Sequence, residues 1–309
     1  MFDVLGLYAF YSLEFTFGKA ALQYIQPLFL ISMRMLVSGP LLLAYVYFFK
    51  RKDFRIERIH WPLFVQAIIF QIYLGYLFDF WSLQFMDTGK NVLIFTLAPF
   101  ITALIAYVLY SEKLSRQKII GLSIGFIGVM PVLLTKTTQE SSFFQIGLLS
   151  WPEIVAIAAV GTIAYGWIVV GRLTKEHNYS PLMINGISMF IGGLLILCSS
   201  PFLDSWNPRP FTAYWPFFTY TVFLIIVSNL ITYNWYSLLL CKYTATFIAF
   251  VSFTEPLYVA LYSWIWLGET VTWHFFVSLG LIILGLYLFY KEELGKIYVR
   301  NASTSIKIG

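Results

Sequence analysis

Five ionisable residues stand inside long apolar runs of this chain: Glu14, Lys19, Arg34, Asp79 and Glu255. Charge within an apolar segment of membrane thickness is costly, so such residues mark a binding or translocation path first. Arg34 carries a planar fork of donors that suits a carboxylate or phosphate. Glu255 precedes Pro256, has no basic neighbour in sequence, and suits a cation or a proton as coupling ion. Glu14 or Asp79 also offers Arg34 an internal ion-pair partner, which would make Arg34 structural. Lys19 lies nearer a helix end, where its long stem lets the ammonium reach the interface as an anchor. Neutral polar residues extend the set. Gln71, Gly75 and Asp79 recur at i, i+4 and i+8, as do Asn229, Tyr233 and Ser237, while Ser252, Glu255 and Tyr262 share a third face. Tyr11, Tyr165, Tyr233 and Tyr262 fall on polar stripes and offer a cage for a cation or a planar group. The substrate-binding set read from sequence is therefore Glu14, Arg34, Asp79, Tyr165, Asn229, Tyr233, Glu255 and Tyr262. Its mixture of acids and a base predicts a zwitterionic ligand, with its carboxylate on Arg34 and its cationic centre on Glu255 or Asp79.

The elements that position these residues follow from composition. The 309 residues are 59% hydrophobic, 20% aromatic and 11% charged. A soluble domain carries about 25% charged residues, and one of this length could not hide so much apolar surface. Runs long enough to cross a bilayer fall at about 2–21, 28–49, 62–85, 91–110, 118–135, 152–172, 181–200, 216–239, 245–267 and 272–290. They are apolar on all faces, which excludes alternating barrel strands, and backbone groups in lipid must bond within a helix. The start Met1-Phe2-Asp3 lacks a basic stretch and a small-residue cleavage site, so the first run is expected to stay as a helix. Loops 50–61, 111–118 and 172–180, with Lys242 and the tail, hold 15 basic residues, against 4 on the other side (Lys19, Lys90, Lys136, Arg209). Both termini are thus expected in the cytoplasm.

The two halves repeat. Pro27, Met35 and Gly39 match Pro181, Met189 and Gly193, and Phe80-Trp81-Ser82-Leu83 matches Trp235-Tyr236-Ser237-Leu238. Pro99, Glu112 and Gly128 match Pro256, Glu269 and Gly285. A five-helix unit enters the membrane inverted in its second copy, an arrangement that sets a substrate site where the halves meet and permits alternating access. The units are 1–135 and 152–290, with a polar linker at 136–151 and a cytoplasmic tail at 291–309. Pro99 and Pro256 are expected to bend their helices and serve gating. Glu112 and Glu269 are expected at helix ends, and Gly121 and Gly125 at close helix contacts.

These units resemble the drug/metabolite transporter superfamily in its ten-helix EamA-like branch. The resemblance rests on Leu97-Ala98-Pro99-Phe100, Tyr110-Ser111-Glu112 and Gly121, Gly125 and Gly128, and on Thr254-Glu255-Pro256-Leu257, Gly268-Glu269 and Gly280 and Gly285. Lys19 and Arg34 fit the basic residues that the family carries in its first two helices. The resemblance implies an all-α integral membrane protein of ten helices in two inverted repeats, working as a secondary carrier in a cell (inner or plasma) membrane. It implies substrates among amino acids, amines, nucleotide conjugates and S-adenosylmethionine-like metabolites. The residues themselves favour an amino acid or amino-acid conjugate, moved by proton coupling or exchange, with an S-adenosylmethionine-like or nucleotide-conjugate exchanger as the alternative. A channel or receptor is the competing class. No Walker, HExxH or GxSxG pattern occurs, so neither ATP-driven pumping nor intramembrane hydrolysis is expected. Cys198, Cys241, His60, His177 and His274 form no metal spacing, and no cofactor, metal or nucleic-acid partner is expected. The expected state is monomer or homodimer.

Overall fold

The computed structural model describes residues 2–110, 116–133, 145–146, 149–204, 206, 210–242, 248, 252–285 and 287–288. The described chain is helical apart from one two-residue antiparallel pair, β1 (Gln145–Ile146) with β2 (Leu149–Ser150). The helices are α1 (Phe2–Leu22), α2 (Pro27–Phe49), α3 (Arg58–Leu83), α4 (Thr88–Phe95), α5 (Ala98–Tyr110), α6 (Arg116–Leu133), α7 (Trp151–Lys175), α8 (Pro181–Leu203), α9 (Tyr214–Leu239), α10 (Glu255–Leu267) and α11 (Trp273–Gly285). Five of them, α2, α3, α7, α8 and α9, are long and apolar enough to cross a membrane. The others are shorter or, like α1, carry charge. Large apolar side chains lie bare on the outside: Phe48 is 74% exposed, Phe202 87% and Trp215 81%. Only a surrounding apolar solvent makes such a surface stable.

Local chemistry starts these helices. Pro27, Pro152 and Pro181 stand in first turns, where a missing N–H costs nothing. Ser150 and Glu153 form a reciprocal capping box at the start of α7. Between α2 and α8 the backbones approach closely. A Cβ on Gly39 would lie 2.6 Å from the Phe190 nitrogen, and one on Gly193 would lie 2.8 Å from Met35 Cβ. The matched Pro-Met-Gly series of the two halves therefore pack against each other. Gly285 meets Gly125 and Gly121 in the same way, joining α11 to α6.

Two departures from the sequence reading matter for the site. First, α3 and α9 each widen into a π-helical turn, Ala67–Leu74 and Ile225–Thr232. Such turns are rare and gather at functional sites. Second, neither proline bends a helix from within. Pro99 is the second residue of α5, after a turn at Thr96 and Leu97, and Pro256 is the second residue of α10, after a 3-10 turn at Ser252–Thr254. Each follows a break in the path, where its ring fits a first turn. The expected loop with Glu112 lies outside the described residues, as do most of the linker and the tail.

Candidate functional site

Arg34 sits on α2 with no exposed surface. Its Nη2 donates to Glu14 Oε1 on α1 at 2.6 Å, to Ser228 Oγ at 2.8 Å and to Asn229 Oδ1 at 2.8 Å. Its Nε also reaches Asn229 Oδ1, at 3.1 Å. Ser228 and Asn229 belong to the π-turn of α9, and that turn aims both side chains at α2. The guanidinium carbon lies 5.8 Å from the ring centre of Tyr76 and 5.5 Å from that of Phe80, so aromatic faces replace lost water. Of the two internal partners open to Arg34, the structure selects Glu14. Asp79 instead accepts from Asn91 Nδ2 on α4 at 3.0 Å.

The pairing is incomplete. Among the described residues, Arg34 Nη1 and Glu14 Oε2 are buried without a hydrogen-bond partner. Removing one member of a buried pair typically costs about 3–5 kcal/mol. Leaving a donor and an acceptor unused beside it is a further cost that a ligand can relieve.

Glu255 opens α10 at 8% exposure, and its Oε1 also lacks a partner among the described residues. The positive end of the α10 backbone dipole lies at this carboxylate. Tyr8, Tyr11 and Tyr236 lie near it. Trp167 of α7 stacks on Tyr236 at 4.2 Å and lies 5.0 Å from Tyr233. The Tyr233 ring in turn lies 6.1 Å from that of Tyr76. Rings from α1, α3, α7 and α9 thus gather around Glu14 and Glu255.

Six of the eight sequence-predicted residues gather here: Glu14, Arg34, Asp79, Asn229, Tyr233 and Glu255. The other two do not. The Tyr165 hydroxyl donates to Gln66 Oε1 at 2.6 Å, in a packing cluster between α3 and α7. Tyr262 stacks on Tyr258 and meets Trp266 edge-on, on the partly exposed flank of α10. Both hold their helix face, but a four-residue stripe is too coarse to fix which neighbour that face meets.

Lys19, expected as an interfacial anchor, turns to the protein. Its ammonium donates to the carbonyls of Leu83, Gln84 and Met86, at 2.7, 3.2 and 2.8 Å, where α3 ends and leaves acceptors free. Lys90, counted above as an outer-loop charge, is 4% exposed and pairs with Glu153 at 2.6 Å. The sequence signal for that pair was the capping box Ser150-x-x-Glu153, which fixes Glu153 at a buried helix start. Tyr8, Tyr76, Trp167, Tyr236 and Ser228 were missed because aromatic and hydroxyl residues are too common in this chain to stand out. Glu269 is indeed a helix-end residue: its carboxylate accepts from Thr88 N at 3.2 Å and Thr88 Oγ1 at 3.0 Å. Burial pushes the Glu269 carboxyl above its usual range, and the bonds from Thr88 draw it back. Among the described residues no group of three or more His, Cys, Asp or Glu could hold a metal.

A helical membrane protein with polar residues of both halves at its centre defines a class, and comparison with known families agrees. The model of the EamA-like transporter family matches twice, at residues 2–134 and 150–291. The chain belongs to the EamA-like transporter family of the drug/metabolite transporter superfamily. It is similar to the S-adenosylmethionine/S-adenosylhomocysteine transporter of Chlamydia muridarum, 31% identical over 94% of this chain and 92% of that one. The transporter of the same name in Chlamydia trachomatis serovar L2 is 30% identical over 94% of this chain and 88% of that one. One solved structure shares the fold across 93% of each chain, with a TM-score of 0.62 and 15% identity. The chain is thus a membrane-embedded transporter of a small molecule, and its family and relatives are transporters rather than enzymes.

Proposed function

We propose that this transporter exchanges S-adenosylmethionine for S-adenosylhomocysteine. The curated relatives named above support that substrate pair over a free amino acid, the reading that the residues alone favoured. The observation that carries the proposal is the pair of spare atoms on the central ion pair. Arg34 Nη1 is a buried donor and Glu14 Oε2 a buried acceptor, both unoccupied among the described residues. An α-amino acid presents the complement, a carboxylate beside an ammonium. Its carboxylate would take Arg34, its ammonium Glu14, each through a charge-assisted bond. Glu255 and the rings of Tyr8, Tyr11 and Tyr236 would then receive what a plain amino acid lacks, a sulfonium and a planar base. Asp79 adds a carboxyl group at the same centre. The pathway is ten helices in two inverted units, 1–135 and 152–290, with both termini in the cytoplasm.

The test is counterflow in proteoliposomes loaded with unlabelled S-adenosylmethionine. Labelled S-adenosylmethionine should accumulate, and S-adenosylhomocysteine should compete. Methionine alone or adenosine alone should not, and equal competition by either sinks the proposal. Glu255→Gln sharpens it. The homocysteine form lacks the sulfonium charge, so the variant should lose ~10-fold in apparent affinity for S-adenosylmethionine and under ~2-fold for S-adenosylhomocysteine.

A further inference from the structure

The α1–α2, α3–α4, α8–α9 and α10–α11 connections meet at one end of the molecule. There, besides the buried Lys90–Glu153 pair between α4 and α7, two ties join the halves among the described residues. One tie is backbone: Gln26 N donates to Pro210 O at 2.7 Å, and Thr212 N to Tyr24 O at 2.8 Å. The Asp204 carboxylate adds to it by accepting from Phe29 N at 3.0 Å at the start of α2. The other tie is the Glu269 carboxylate on Thr88, reaching from the α10–α11 loop to the start of α4. It rests on one side chain and can be released without breaking a backbone ladder.

A polar seam leads from the centre to that second tie. Tyr8, Ser12 and Thr16 are spaced four apart on α1 and are all buried. Ser12 Oγ donates to Tyr8 O in its own helix at 2.6 Å and also lies 3.3 Å from Glu255 O, while Thr16 Oγ1 lies 3.4 Å from Ser263 Oγ on α10. Ser263 then lines a cleft of about 350 Å³, together with Asp87, Glu269 and Thr272. The turn at this point is built for its task. Gly268 adopts φ +67, a left-handed conformation that glycine accepts without strain. The N–H groups of Gly268 and Glu269 both point to Ser263 O, which returns the Glu269 side chain toward α4.

We infer that the α1–α10 seam is the substrate's route between the central site and this end, and that the Glu269–Thr88 contact is the latch that closes it. The inference rests on the family's transport activity and not on the identity of the substrate. Ser12, Thr16 and Ser263 supply hydroxyls along the way, and the cleft over Asp87 is the vestibule outside the latch.

The test reads the seam itself. In purified protein with Cys198 and Cys241 replaced by serine, Ser263→Cys should react slowly with a water-soluble maleimide. Adding Glu269→Gln should raise that rate ~10-fold or more, the scale of a lost hydrogen bond to a charged group. Thr88→Val, nearly the same in shape, should act in the same direction and stands in if the glutamine variant does not fold. A cysteine at the exposed Phe202 must react at one rate throughout, which excludes general loosening. Unchanged Ser263→Cys reactivity in the variants overturns the latch. No transport substrate is used, so a wrong substrate assignment cannot produce that result.

Discussion

The two π-turns occupy corresponding helices of the two halves, and they are used differently. In α9 the fifth residue of the turn is Asn229, whose Oδ1 accepts from Arg34 and whose Nδ2 contacts Met35 Sδ at 3.1 Å. In α3 the fifth residue is Gln71. It is also fully buried, yet among the described residues neither atom of its amide has a partner. The positions one proline-to-glycine register apart, Arg34 and Ser188, differ likewise. Arg34 is the hub of the centre, whereas Ser188 Oγ is buried without a partner among the described residues. A duplicated scaffold has therefore been loaded unevenly. The first half supplies Glu14, Arg34 and Asp79, and the second supplies neutral acceptors and Glu255. Symmetry suits a rocking motion, while an asymmetric cluster suits a ligand held in one orientation.

The comparison can be broken most severely at Arg34. Arg34→Ala leaves Glu14 buried without its partner, so ligand binding should fall ~100-fold or more, with reduced thermal stability. Arg34→Lys should recover stability better than binding, because an ammonium cannot serve Asn229, Glu14 and a ligand as a planar fork does. A thermal-shift titration reads both; equal recovery of the two would show that the fork is not used by ligand. Asn229→Leu comes next. It removes the acceptor that orients the guanidinium, and binding should weaken ~10-fold; an unchanged dissociation constant would detach the α9 turn from the site. Gln71→Met should do least. It replaces an unpartnered amide by an apolar side chain of similar shape, and should leave transport within ~2-fold and melting unchanged or raised. A large loss of transport would show that Gln71 takes a partner in another state of the cycle.

Much of this was legible without coordinates. Helical, membrane-embedded character follows from apolar runs that carry too few charges for water. The central residues were legible because a charge in such a run needs a reason, and Glu14, Arg34, Asp79 and Glu255 do meet at one centre. The stripes failed at Tyr165 and Tyr262, since helical spacing names a face and not its neighbour. The count of outer charges misread Lys90, because a lysine beside a span reads as a loop charge until a partner such as Glu153 is brought to it from 63 positions away.

The sequence by itself determined the class of protein, the duplicated pattern of Pro27, Met35 and Gly39 with its second copy, and the short list of charges that had to matter. These depend on the solvent each segment can tolerate and on local spacing, which one strand of text contains. Tertiary structure alone decided that Arg34 pairs with Glu14 and not Asp79, that Lys19 caps α3, and that Glu269 holds Thr88. Each is a contact between different helices or loops, from 20 to 181 positions apart in the chain. It is selected by which helix ends leave carbonyls or N–H groups unsatisfied at that depth, and by π-turns that rotate Ser228 and Asn229 toward α2.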